Sequence, residues 1–165
     1  MVVEQEIVID KGINDCWKVM GVGYTEIYQW ASFVHDASGD GKPAIEGASC
    51  DIRGCNVEGM GDIEEKLTTF DPKNYAIAYT VTKGLPNMMK GARNSWRLRS
   101  LGENKTQLNM RATFETKGLM GNLMGPMMKM QFNGMLRKTV EEFKYFVEHG
   151  EPHPRKLKAQ AKKAA

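Results

Sequence analysis

Apolar and polar positions alternate from Ser49 to Thr116, one strand following another, and near Gly121 this gives way to a helical pattern that lasts to His149. Upstream, Val2 to Ile9 alternates well enough for a first strand, with Val3, Ile7 and Ile9 on one side and Glu4 and Glu6 breaking the pattern. After a turn at Lys11-Gly12, Asn14 or Asp15 can cap a short helix containing Trp17, Val19 and Met20. Gly21 and Gly23 end it, and a second short helix is predicted near Thr25 to Trp30. Ala31 to Asp36 reads as a strand that stops at the turn-forming run Ser38-Gly39-Asp40-Gly41-Lys42-Pro43.

The turns between the later strands predict their register. Glu58-Gly59-Met60 sets Arg53 opposite Glu65. Asp71-Pro72-Lys73 sets Glu65 opposite Tyr79 and Leu67 opposite Ile77. Gly102-Glu103-Asn104 sets Trp96 opposite Met110 and Leu98 opposite Leu108. Alternation then assigns Ile63, Leu67, Tyr75, Ile77, Tyr79 and Val81, with Trp96, Leu98, Leu108, Met110, Ala112 and Phe114, to one dry face. Arg93, Arg97, Arg99, Gln107, Asn109, Arg111 and Glu115 take the wet one, as an antiparallel sheet allows. Two charged residues, Arg53 and Glu65, fall on the dry face beside Tyr79. Burying either alone is costly, whereas a hydrogen-bonded pair is tolerable.

The final helix has a firm stripe in its second half, Leu136, Val140, Phe143 and Val147. Its first half is apolar on more than one side and crowded with Met124, Met127, Met128, Met130 and Met135, among Gly118, Gly121 and Gly125-Pro126. Methionine adapts to irregular, variable space, so this half is expected to be a lip that re-packs around a ligand. A sheet gripping one helix leaves a space between them. That space is predicted to be a ligand-sized void of roughly 300 Å³ or more.

Composition changes the picture little. Apolar residues are 41% of the 165 and charged residues 26%, as in ordinary globular proteins. The net charge of +3 lies partly in a tail with Arg155, Lys156, Lys158, Lys162 and Lys163. Residues 1–150 are expected to form a single ligand-binding domain and 151–165 a basic, flexible tail. A near-neutral body argues against nucleic acid as a partner. Cys16, Cys50 and Cys55 lack metal-ligand spacing, and Glu4, Glu6 and Asp10 interrupt any apolar leader, which points to free thiols in the cytoplasm. No run reaches the roughly 18 apolar residues of a membrane span. His35, His149 and His153 are scattered, so neither a metal nor a cofactor is expected. His35 is a spare acid or base only if its side chain enters the cavity.

The order of a strand, two short helices, six strands and a long helix resembles the START/polyketide-cyclase (SRPBCC, helix-grip) superfamily. Trp17 and Trp30 look like its two tryptophan positions. Arg53 … Gly61-Asp62-Ile63-Glu64-Glu65-Lys66-Leu67 … Phe70-Asp71 resembles its pattern of arginine, glycine turn, Glu-Arg-Leu and Phe-Asp, with Lys66 where arginine is commoner and Cys50 where a glycine is usual. Lys83-Gly84-Leu85-Pro86 resembles the Gly-Leu-Pro gate of the plant hormone-receptor branch. The resemblance covers roughly residues 3 to 148. It implies an α+β helix-grip fold, in which a curved seven-stranded antiparallel sheet wraps a long C-terminal helix with two short helices after the first strand.

The resemblance also implies an internal cavity, with the matching arginine and glutamate facing it. The expected ligand-binding residues are Arg53, Glu65, Leu67, Ile77, Tyr79, Leu85, Met88, Trp96, Met110, Phe114, Met124 and Met128. Members of the superfamily carry lipids, sense hormones or cyclise and dehydrate polyketides, so carrier, sensor and enzyme stay open. In the first two cases the partner is a small hydrophobic molecule: a lipid, a polyketide-like compound or an aromatic metabolite. In the third, a cyclase, dehydratase or isomerase, Glu65 is the base, Arg53 the oxyanion partner and Tyr79 a proton donor. The methionine lip could touch a membrane transiently, but its low charge argues against stable insertion. Oligomeric state is not readable from the chain.

Overall fold

In the computed structural model, residues 1–164 are described, with residues 119–124, 163 and 164 as backbone only. The expectation for Met124 therefore lies outside the described side chains.

Seven strands, β1 (Val2–Ile9), β2 (Val34–Asp40), β3 (Ile52–Val57), β4 (Gly61–Asp71), β5 (Ala76–Lys83), β6 (Met89–Gly102) and β7 (Lys105–Thr116), form one antiparallel sheet in the order β1-β7-β6-β5-β4-β3-β2. Between β1 and β2 lie the short helix α1 (Ile13–Trp17), a π turn at Lys18–Val22 and a 3₁₀ turn at Tyr24–Gln29. The long helix α2 (Gly118–His149) lies against the concave face, and α3 (Pro154–Ala164) ends the chain. This is the helix-grip arrangement.

Two strand pairings follow the sequence reading residue for residue. Arg53 pairs with Glu65 across β3 and β4, and Trp96 with Met110 and Leu98 with Leu108 across β6 and β7. Both turns are tight enough for the strand period to carry register through them. The β4–β5 pairing differs: Glu65 stands opposite Val81 and Leu67 opposite Tyr79, an offset set by the length of the turn together with a register shift of β4 between Leu67 and Thr69. The turn there is also longer than Asp71-Pro72-Lys73. Asp71 Oδ1 accepts the amides of Lys73 and Asn74, and Tyr75 adopts φ 50°. A bulge moves every later pairing without changing the composition of the strand, so alternation alone could not place it.

The β2 boundary differs too. The strand runs on through Ser38-Gly39-Asp40, which pair with Gly54, Arg53 and Ile52. Gly39 marks close packing there and not a turn: a Cβ would meet Cys50 Cβ and Thr25 Cγ2, both at 3.0 Å.

The core lies between the concave face of the sheet and α2. Trp30, Trp96 and Phe143 pack edge to face around each other, with centroids 5.4 to 6.2 Å apart. The stripe of α2 supplies Leu136, Val140 and Phe143, all essentially fully buried. Gly150, at φ 74°, closes α2 with its amide on the Phe146 carbonyl.

The stretch expected as a flexible tail contains an ordered helix. Pro154 occupies the first position of α3, and His153 Nδ1 accepts the Arg155 amide as a cap. Lys156 is 2% exposed and donates to the Val34 carbonyl at 2.7 Å. Arg155 pairs with Glu141 at 2.7 Å and with the fully buried Glu142 at 3.1 Å. Local composition read as basic and polar; the acidic and carbonyl partners that seat the helix are distant in sequence.

Candidate functional site

The dry face of β3 to β7 and the inner face of α2 enclose a cavity of about 80 Å³. Arg53, Glu65, Tyr79, Leu85, Trp96, Met110 and Phe114 line it, as do Ile27, Phe33, Val57, Met60, Met89 and Asn94. From α2 come Phe132, Met135, Leu136 and Thr139. The cavity is well below the roughly 300 Å³ predicted from typical ligand pockets. The reason is local: Phe132 stacks on Phe114 with centroids 4.0 Å apart, and four methionines converge from β6, β7, α2 and the β3–β4 turn.

Four expected residues sit elsewhere or differ in role. Leu67 is buried but does not line the cavity, and Ile77 faces a smaller void beyond it. The longer β4–β5 turn moves both off the expected register, by an amount that the bulge after Leu67 changes for Leu67 alone. Met88 is 40% exposed, and Met89, the first residue of β6, turns inward in its place. Met128 is buried without lining the cavity. The sequence reading missed Phe132 and Thr139. The stripe extended back by four residues from Leu136 gives Phe132, and by four again Met128, so the signal was present but masked by apolar residues on other faces. His35 stays off the cavity and lines an outer groove with Glu58 and Lys138.

Arg53 and Glu65 are 3% and 6% exposed. Arg53 donates from Nε to Glu65 Oε2 at 2.7 Å, from Nη2 to the same oxygen, and from Nη1 to the Tyr24 carbonyl at 2.6 Å. All three guanidinium nitrogens are thus engaged. Its Cζ lies 3.9 Å from the Tyr24 ring centroid and 5.0 Å from that of Tyr79. Cys55 Sγ donates to Glu65 Oε2 at 3.6 Å. Among the described residues, the only charged pair facing the apolar space therefore neutralises itself.

Burial pushes the phenols of Tyr24 and Tyr79 well above the ordinary tyrosine range, with the Glu65 charge adding to it and Arg53 opposing. Burial likewise pushes the Cys55 thiol up to about 12, and raises Cys16 and Cys50. None of these thiols is a ready nucleophile. A disulfide reagent at pH 8 is expected to modify none of the three in the native protein and all three after unfolding. Because the folded-state thiol pKa of Cys55 lies above its unfolded value of 9.0, the stability it contributes is intact below pH 9 and lost as pH rises toward 12. Denaturant midpoints measured across that range should fall, and Cys55→Ala should flatten the decline.

Gly84, in the loop expected to gate the mouth, has φ +83°, and a Cβ there would collide with the Asp62 carbonyl oxygen. Only glycine fits, which places Leu85 against the cavity. Among the described residues, no group of three His, Cys, Asp or Glu side chains could hold a metal ion, and no helix is long and apolar enough to cross a membrane.

The family model for polyketide cyclase / dehydrase and lipid transport matches residues 1–148. No curated protein matches the chain. Among solved structures, a START superfamily protein from Mycobacterium smegmatis superposes with a TM-score of 0.74 at 15% identity, over 89% of this chain and 97% of that one. Norcoclaurine synthase from Thalictrum flavum, in complex with dopamine and hydroxybenzaldehyde, superposes with a TM-score of 0.68 at 15% identity, over 90% of this chain and 87% of that one. At such identities the likeness is one of fold.

Proposed function

We propose that this chain, which belongs to the polyketide cyclase/dehydrase and lipid-transport family, binds a small hydrophobic molecule between its sheet and α2 as a cytoplasmic carrier or sensor. The observation that carries the reading is a cavity with an apolar wall whose one buried charge pair, Arg53 and Glu65, is closed on itself. A binding pocket is served by such neutrality, whereas a general base needs a carboxylate free to reach its substrate. Residues 1–150 form the binding domain on this reading.

The cavity of about 80 Å³ suits a single small ring. A lipid, a polyketide-like compound or a larger aromatic metabolite requires Met60, Met89, Met110 and Met135 to change rotamer, which unbranched thioether side chains do at low cost.

The second reading, a cyclase, dehydratase or isomerase, is favoured by one observation: Glu65, Arg53 and Tyr79 all line the cavity. It is weaker because Arg53 Nε and Nη2 both hold Glu65 Oε2 and burial leaves Tyr79 a poor acid. The test is mass spectrometry of the organic extract of protein purified from its own cells, paired with thermal shifts against fatty alcohols, fatty acids and polycyclic aromatics. A stoichiometric apolar compound, or a ligand raising the melting temperature by several degrees, is the expected outcome. Absence of both overturns the reading.

A further inference from the structure

Buried polar atoms in a folded interior are almost always hydrogen-bonded, so those without a partner call for an explanation. Three such atoms are the Tyr24 hydroxyl, Trp30 Nε1 and Trp96 Nε1, the last of which faces the Tyr79 hydroxyl without completing a well-aligned bond to it. Their residues are 2%, 4% and 4% exposed. All three line one small void of about 10 Å³, which lies beyond the main cavity and shares Arg53, Tyr79 and Trp96 with it. That is room for one oxygen atom, as a cavity holding a single water needs roughly 10–15 Å³. The indole N–H is a donor only, and a tyrosine hydroxyl donates or accepts. Indole donors of residues that line such a void are satisfied only by an acceptor.

The charge around the void narrows the class. Each Arg53 nitrogen already donates, and Glu65 offsets its charge. Arg93, which also borders the main cavity, is exposed on the opposite face of the sheet. A carboxylate entering here would be desolvated without a free counter-charge, which is costly. A neutral oxygen gains the indole bonds without that cost.

We infer that the ligand is a neutral molecule with a terminal carbonyl or hydroxyl oxygen, its apolar body in the main cavity and its oxygen past Trp96, accepting the N–H groups of Trp30 and Trp96. This rests on the cavity being a ligand site. It also revises the expectation that Arg53 anchors the ligand: Arg53 shapes the wall, and the indoles select the polar end.

Indole and methionine-methyl NMR tests it with three probes of similar size: cyclohexanone, methylcyclohexane and cyclohexanecarboxylate. The chain has three tryptophans, and Trp17, packed on Phe70 and Tyr75, serves as the internal control. Cyclohexanone and methylcyclohexane should both shift the Met110 and Met135 methyls. Only cyclohexanone should shift the indole N–H signals of Trp30 and Trp96, with Trp17 still. Trp96→Phe should weaken cyclohexanone about 3- to 10-fold, as expected for one neutral hydrogen bond, and leave methylcyclohexane within about twofold. If methylcyclohexane binds as well as cyclohexanone and the indoles stay still, water alone satisfies them and the inference is wrong while the cavity reading stands. If the carboxylate binds tightest, the neutral-ligand class is wrong. If no probe shifts a methionine methyl, the cavity reading itself falls, and this inference with it.

Discussion

Glu65→Ala is expected to lower the unfolding free energy by about 3–5 kcal/mol, the cost of stranding a buried charge. Arg53 would remain in place at 3% exposure, with its Nη1 on the Tyr24 carbonyl but no anion within reach of Nε and Nη2. For a domain of this size the loss corresponds to a fall of roughly 6–20 °C in melting temperature. Urea titration and calorimetry give the two numbers independently. A loss below about 1 kcal/mol would mean that water reaches the pair. The pair is not needed for stability as such. Arg53→Met combined with Glu65→Leu removes both charges and fills similar space, so the double variant should return to within about 1–2 kcal/mol of the parent or exceed it. A cycle built from the two single and the double variants would isolate the coupling. If the double variant is as unstable as Glu65→Ala alone, the buried charge is not what the single variant exposes, and the geometry of β3 and β4 depends on the pair.

Deleting residues 151–165 is expected to cost about 2–4 kcal/mol, far more than the loss of a frayed end, which stays within ~0.5 kcal/mol. Glu142 is wholly buried, and its carboxylate accepts the Ser32 amide and hydroxyl at 2.8 Å each. Its cation is Arg155, and the Val34 carbonyl is satisfied by Lys156. Truncation removes both. The estimate sits below that for Glu65→Ala because removing α3 lets water reach Glu142 and the Val34 carbonyl. Hydrogen exchange should rise around Ser32 to Val34 while β6 and β7 stay protected. Arg155→Met in the full chain should reproduce the larger share of the loss. If the truncated chain is as stable as the full one, α3 rests on the body without supporting it.

The architecture was legible because its signals are local. The strand period from Ile52 to Thr116, the stripe Leu136, Val140, Phe143 and Val147, and the short turns at Gly59 and Gly102 each depend on a few neighbouring residues. The same locality placed Arg53 opposite Glu65. What failed did so where a local pattern has two tertiary outcomes. A strand with a bulge after Leu67 has the same composition as one without it, and Met88 and Met89 are chemically alike, so the inward one is chosen by where β6 begins pairing.

By itself the sequence determined the order of strands and helices, whose family resemblance implied the helix-grip fold, together with the dry face of the sheet and the burial of a charged pair upon it, because periodicity and the cost of an unpaired charge are properties of the chain. Only the tertiary structure decided that Arg53 Nε and Nη2 close on Glu65, that Phe132 stacks on Phe114 and leaves about 80 Å³, that Trp30 and Trp96 line a second void and their indole N–H groups make no well-aligned bond, and that the basic end docks as α3. Each depends on groups between 12 and 122 positions apart in the chain meeting in space, and closeness at that range is set by how the sheet and α2 pack, not by any pattern along the chain.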